Sequence, residues 1–139
     1  MSTLKVNTIQ DASGGNSSTA EQIAVGRAKA WVNFNGFFAT SPFTEANGGI
    51  RNSFNVSSVT DNGTGDYTVT FSNAMPNANY LITASAKEFD STQTTSVVIM
   101  PGRNLTIANS ITTTFVRVIS TNGGSNFDSV IVHVVIFGD

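Results

Sequence analysis

A single histidine, His133, is the only imidazole this chain has for acid–base or metal chemistry. It stands inside the run IVHVVIF. A Ser-His-Asp constellation would need it beside a nucleophile and an orienting carboxylate, and no G-x-S-x-G elbow accompanies it. There is no second histidine and no cysteine to complete a metal site. His133 therefore reads as a strand histidine with a bonded ring or a wet edge. The nine acids offer two pairings. Glu88 and Asp90 would share a face if they lay on a strand, as the facing carboxylates of a glycosidase must; in a loop before Ser91 they are simply solvated. Asp61 and Asp66 bracket DNGTGD, a faint likeness to a calcium loop without its further carboxylate ligands. Asx-turn capping of a hairpin accounts for both acids. The chain thus reads as non-enzymatic, with no catalytic residue, no metal and no cofactor.

Recognition is the other chemistry on offer. Phe37, Phe38 and Phe43 crowd the segment GFFATSPFTEANGG among turn residues. They are candidates for a surface recognition tip, since clustered exposed aromatics mark binding sites. They could equally tuck under a β-sandwich or against a neighbouring subunit.

The elements that must position these residues follow from alternation. Ala28-Ala30-Val32-Phe34, Tyr80-Ile82-Ala84-Ala86, Leu105 with Ile107, Val116 with Val118 and Val130-Val132-Val134-Ile136 all repeat with the period of a half-buried strand. In IRNSFNVSSVTDNGTGDYTVTF, a strand from Ile50 to Val59, with Ile50, Phe54 and Val56 on one side, precedes a turn, and a strand from Tyr67 to Phe71, with Tyr67, Val69 and Phe71, follows it. Asn62-Gly63 is the expected turn nucleus, because Asn and Gly tolerate positive φ. Val97 to Met100 is a short run ended by Pro101-Gly102. The sum is an all-β fold, an antiparallel β-sandwich or jelly-roll-like module of about seven or eight strands over residues 27–139. Residues 1–26 are polar and carry too little apolar surface to offset their own ordering. They read as an N-terminal attachment arm. Ser18 to Glu21 fits a capping box, which predicts a helix of one to two turns over 19–25, stopped near Gly26.

Composition narrows the partners. Only 12% of the residues are charged, about half the usual share, and Ser, Thr and Asn take the surface role. The net charge is −2, and the seven basic residues are scattered without a stripe that could follow phosphates, so no nucleic-acid partner is expected. The N-terminus lacks the apolar core of a secretory signal, and Val130 to Phe137 is far too short to span a membrane, so no membrane insertion is expected. The last strand is apolar on both faces: Val130, Val132, Val134 and Ile136 point one way, Ile131, Val135 and Phe137 the other. A strand apolar on both faces must be covered on both. Ile131, His133, Val135 and Phe137 are therefore the candidate subunit interface of a homo-oligomer.

Two strings, STLKVNTIQDASGGNSSTAEQIAVGRAKAWVNFNG (2–36) and IRNSFNVSSVTDNGTGDYTVTFSNAMPNANY (50–80), resemble a module of tail-fibre and other virion structural proteins of marine and cyanobacterial tailed phages. The resemblance covers nearly half the chain. It departs from the family at FFATSPFTEANGG, where a short Gly/Thr linker is usual, and after Tyr80. It implies a β-rich head that tends to trimerise, carried on an attachment segment. It also implies location in the virion and contact with other virion proteins through the arm. The expected role is a tail fibre or adhesin-like appendage in host attachment, with host surface glycan or protein as a partner. A head decoration (cement) protein and a small polysaccharide depolymerase are the alternatives.

Overall fold

The computed structural model describes residues 5–10, 12–14, 17–87, 98–101, 110–121 and 125–138. Alternation of large apolar and small polar residues produces the strands, and every ladder between them is antiparallel. In chain order the elements are β1 (Thr8–Gln10), β2 (Ser17–Thr19), α1 (Ala20–Gly26), β3 (Ala28–Phe34), β4 (Ile50–Phe54), β5 (Val56–Gly63), β6 (Asp66–Phe71), β7 (Leu81–Lys87), β8 (Val98–Pro101), β9 (Phe115–Thr121) and β10 (Ile131–Phe137). Two four-stranded sheets, β4-β3-β10-β7 and β5-β6-β9-β8, form an all-β sandwich. The arm's β1 and β2 make a separate two-stranded sheet.

The core lies between the two large sheets. Ala30, Val32, Phe34, Val132, Val134 and Ile136 from the first face Val59, Tyr67, Val69, Val116 and Val118 from the second, all buried. The edge of the Phe34 ring meets Tyr67 with centroids 5.0 Å apart at 71°, the T-shaped contact that aromatic quadrupoles favour. The expected alternations at β3, β7, β9 and β10 all place their apolar residues inward. Leu105, Ile107, Glu88 and Asp90 lie outside the described residues.

Three local expectations are corrected. The run Ile50 to Val59 is not one strand. It breaks at Asn55, which has φ +55°, so β4 stays in one sheet while β5 crosses to the other. Asn tolerates this left-handed backbone better than other L-residues, and its side chain then holds the crossing. Its Nδ2 donates to the carbonyls of Lys29 and Asn73, both at 3.2 Å, while its Oδ1 accepts from the Asn73 amide at 2.8 Å. Because β4 also carries an extra residue opposite β3, Phe54 faces outward and not inward with Ile50. The hairpin turn lies at Thr64-Gly65, since Gly63 still pairs with Asp66. Gly65 has φ +66°, and a Cβ there would come within 2.6 Å of the Ser120 carbonyl oxygen, so only glycine fits. The capping box is Thr19 with Gln22: Thr19 Oγ1 accepts from the Gln22 amide at 3.1 Å, and Gln22 Oε1 accepts from the Thr19 amide at 2.8 Å. Ser18 and Thr19 are both paired in β2, but α1 begins at Ala20, which puts Thr19 at its N-cap.

Candidate functional site

Two of the three phenylalanines proposed for a recognition tip are taken by the fold. Phe43 is completely buried and bridges to β5, with its amide 2.7 Å from the Val59 carbonyl and its carbonyl 3.0 Å from the Val59 amide. Phe38 is half-buried and lays its ring edge-on to Phe43, centroids 5.8 Å apart. Only Phe37 is well exposed, at 53%. The reason is local. Asn47 Oδ1 accepts from the Thr44 and Gly49 amides and Asn47 Nδ2 donates to the Pro42 carbonyl. These bonds close 42–49 into a plug that drives Phe43 between the sheets. A tip built on all three rings is therefore excluded; Phe43 is core.

The DNGTGD acids divide. Asp61 forms the expected Asx turn, accepting from the Gly63 amide at 2.8 Å. Asp66 does not cap; it receives Arg117 Nε at 2.7 Å and also pairs with Nη2. That forked pair pushes the Arg117 pKa up, the hydrogen bond to Asp66 being the main cause. Among the described residues no group of three His, Asp or Glu is arranged to hold a metal ion.

A buried polar network closes one end of the sandwich. Tyr67 donates its hydroxyl to Asp128 Oδ1 at 2.9 Å, and the same oxygen accepts from the Gly65 amide at 2.8 Å. Ser120 and Ser129 join hydroxyls at 2.9 Å. Burial, and then the bond to Asp128, raise the Tyr67 pKa far above that of a free phenol. These groups fasten the β5–β6 turn to the end of β9 and to 127–129. Their sequence separations, such as 61 residues for Tyr67 and Asp128, leave no local sequence signal.

The candidate interface residues lie together on the outward face of β4-β3-β10-β7. Val132, Val134 and Ile136 are buried, while Ile131, Val135 and Phe137 are half-buried and His133 is exposed. The register extends this face into rows across the sheet. Phe54, Trp31, Val135 and Thr83 form one row, and Phe137 with Leu81 form the neighbouring one. Leu81 is 66% exposed and Phe54 54%. The next row in the other direction is polar: Asn52, Asn33, His133 and Ser85. His133 Nδ1 lies 3.4 Å from Ser85 Oγ, a long contact with no carboxylate on the ring among the described residues. Arg51, at the irregularity in β4, reaches over this end of the face, with Nη2 2.6 Å from the Val130 carbonyl and Nη1 3.3 Å from Asn33 Oδ1. The face is thus divided, with an apolar half at the start of β3 and a polar half at its end. Sequence reasoning found β10's share of it and missed Trp31, Phe54 and Leu81. Trp31 was findable, since its parity opposes Ala30 and Val32.

The arm joins β3 through one residue, Arg27, at φ −85° and ψ 149°. Among its described residues, the large apolar side chains Val6, Ile9 and Ile23 are exposed. No described helix is long and apolar enough to cross a membrane. In comparisons with known proteins, the chain matches no family model, no curated protein and no solved structure.

Proposed function

We propose that this protein is a structural component of a tailed-phage virion, a tail-fibre or adhesin-like appendage that works by binding and not by catalysis. In this reading residues 1–26 attach the chain, and the sandwich of 27–139 is displayed as a homotrimer. The observation that carries the reading is the division of the molecule into unequal parts. A small hairpin-and-helix unit, with Val6, Ile9 and Ile23 exposed, is joined by a single extended residue to a sandwich whose described core cluster takes no residue from it. A free monomer gains nothing from such an arm. An assembly protein uses it, because apolar surface left open on a short element is stabilised when a partner covers it. The resemblance of residues 2–36 and 50–80 to phage fibre modules supports the same assignment, and favours three subunits over two.

The test is to locate the protein on purified virions with a gold-labelled antibody. Label on the tail is expected. Label on the capsid shell would make it a head decoration protein, and virions free of the protein would overturn the proposal.

A further inference from the structure

We infer that the N-terminal unit of one copy seats on the outward apolar half of the β4-β3-β10-β7 face of the next copy. The large apolar side chains that the described chain leaves exposed fall almost wholly in two places: Val6, Ile9 and Ile23 on the arm, and Phe54 and Leu81 on this face, with Phe37 the exception. Between Phe54 and Leu81, the half-buried Trp31, Val135 and Phe137 make the patch continuous. Contiguous exposed apolar surface of this kind marks an interaction site.

Three observations choose the occupant. First, the face does not pair well with itself. The ionised groups that strand parity and contacts place on it are Lys29, Arg51 and Lys87, and among the described residues none of them has a salt-bridge partner. A two-fold, face-to-face contact would set cations against cations. The described ionised groups of the arm unit are Lys5 and Glu21, the latter in the first turn of α1, so it brings no excess of positive charge to the face. Second, the chain's own helix cannot fold back onto the sheet. Only Arg27 separates α1 from β3, and it is extended, whereas a reversal needs the two central residues of a turn. Third, the apolar half of the face lies where the arm leaves the sandwich, since Ala28 opens β3 opposite Phe137 and next to Leu81 across β10. A neighbour related by rotation about an axis near that end brings its arm to the seat with little reach.

The contact is head-to-tail, each copy giving an arm and receiving one, which closes into a ring. This inference rests on the assembly reading above, yet the two fail separately: gold label on virions would persist even if the arm docked elsewhere.

Because the chain has no cysteine, engineered pairs report directly. Full-length chains carrying Ile23→Cys with Leu81→Cys, or Ile23→Cys with Phe54→Cys, are oxidised and run without reductant. At least one pair is expected to give disulfide-linked multimers, while Ile23→Cys with Thr70→Cys, on the opposite sheet, gives none. A mixture of isotope-labelled and unlabelled chains should show the bond between copies by mass spectrometry. Bonds within one chain would overturn the inference in favour of self-coverage. An assembled protein that links through neither pair would overturn it in favour of another interface.

Discussion

The two outward faces of the sandwich have opposite characters. Among the described side chains, the outward rows on β5-β6-β9-β8 are Thr60-Thr68-Arg117, Ser58-Thr70-Phe115 and Asp66-Ile119, the last with its isoleucine buried. The polar groups there bond one another: Asn62 Nδ2 donates to Thr68 Oγ1 at 2.9 Å and to Asp66 Oδ1 at 3.2 Å, and Asp66 holds Arg117. On β4-β3-β10-β7 the corresponding rows present Phe54, Trp31, Val135, Phe137 and Leu81. Both sheets bury their inner faces alike. The difference is therefore not required by the fold, and it is the observation on which the proposed contact between copies rests.

The largest expected effect breaks the apolar face. Replacing Leu81 and Phe54 together by Asp and Ser should dissolve the assembly into monomers in sedimentation velocity while leaving the circular-dichroism spectrum unchanged. Thr70→Asp on the other face should leave the assembly intact. Equal effects from both would erase the distinction between the faces. Next in size, Phe43→Ala should lower stability by about 3–5 kcal/mol in urea unfolding, as loss of a buried aromatic does, whereas Phe37→Ala should change it by less than about 0.5 kcal/mol.

Alkaline pH acts on the shared interior, not on either face. Tyr80, buried with its hydroxyl on the Thr112 carbonyl at 2.8 Å, has its pKa pushed up to about 12 by burial, and Tyr67 is raised further. A phenol whose pKa is higher folded than unfolded stabilises the protein fully below the unfolded value of about 10. That stability is lost as pH rises above it, through the folded value. Denaturant midpoints should be flat to about pH 10 and fall above it, with phenolate absorbance appearing together with unfolding. Phenolates forming in a still-folded protein at pH 10 would contradict the buried network. Smaller again, Thr19→Ala should cost about 1 kcal/mol, confined to the arm, and appear as faster amide exchange in α1. Smallest, Arg117→Met should cost at most about 1 kcal/mol, and less in high salt. The pair is partly exposed, at 28% and 17% of the two side chains.

How far the sequence carried this result depends on the range of each interaction. Inward alternation at β3, β7, β9 and β10 is a local pattern, and it was legible together with the all-β class and the second face of β10. The sheet crossing was not, because it depends on one left-handed residue, Asn55, and the extra residue in β4 inverts the parity that alternation assumes and turns Phe54 outward. The fate of Phe43 depended on the Asn47 bonds that fold 42–49 into a plug, and a run of turn residues does not announce which ring it buries. Leu81 and Phe54 became a site only when the register placed them beside Trp31, Val135 and Phe137, and register is set by pairings far apart in the chain.

The central claim is that the apolar outer face is covered by another copy. Light scattering of the full chain at micromolar concentration tests it most directly. The account predicts a particle of three times the chain mass of 14.6 kDa. A monodisperse, folded monomer at that concentration, with Leu81 and Phe54 open to solvent, would contradict it.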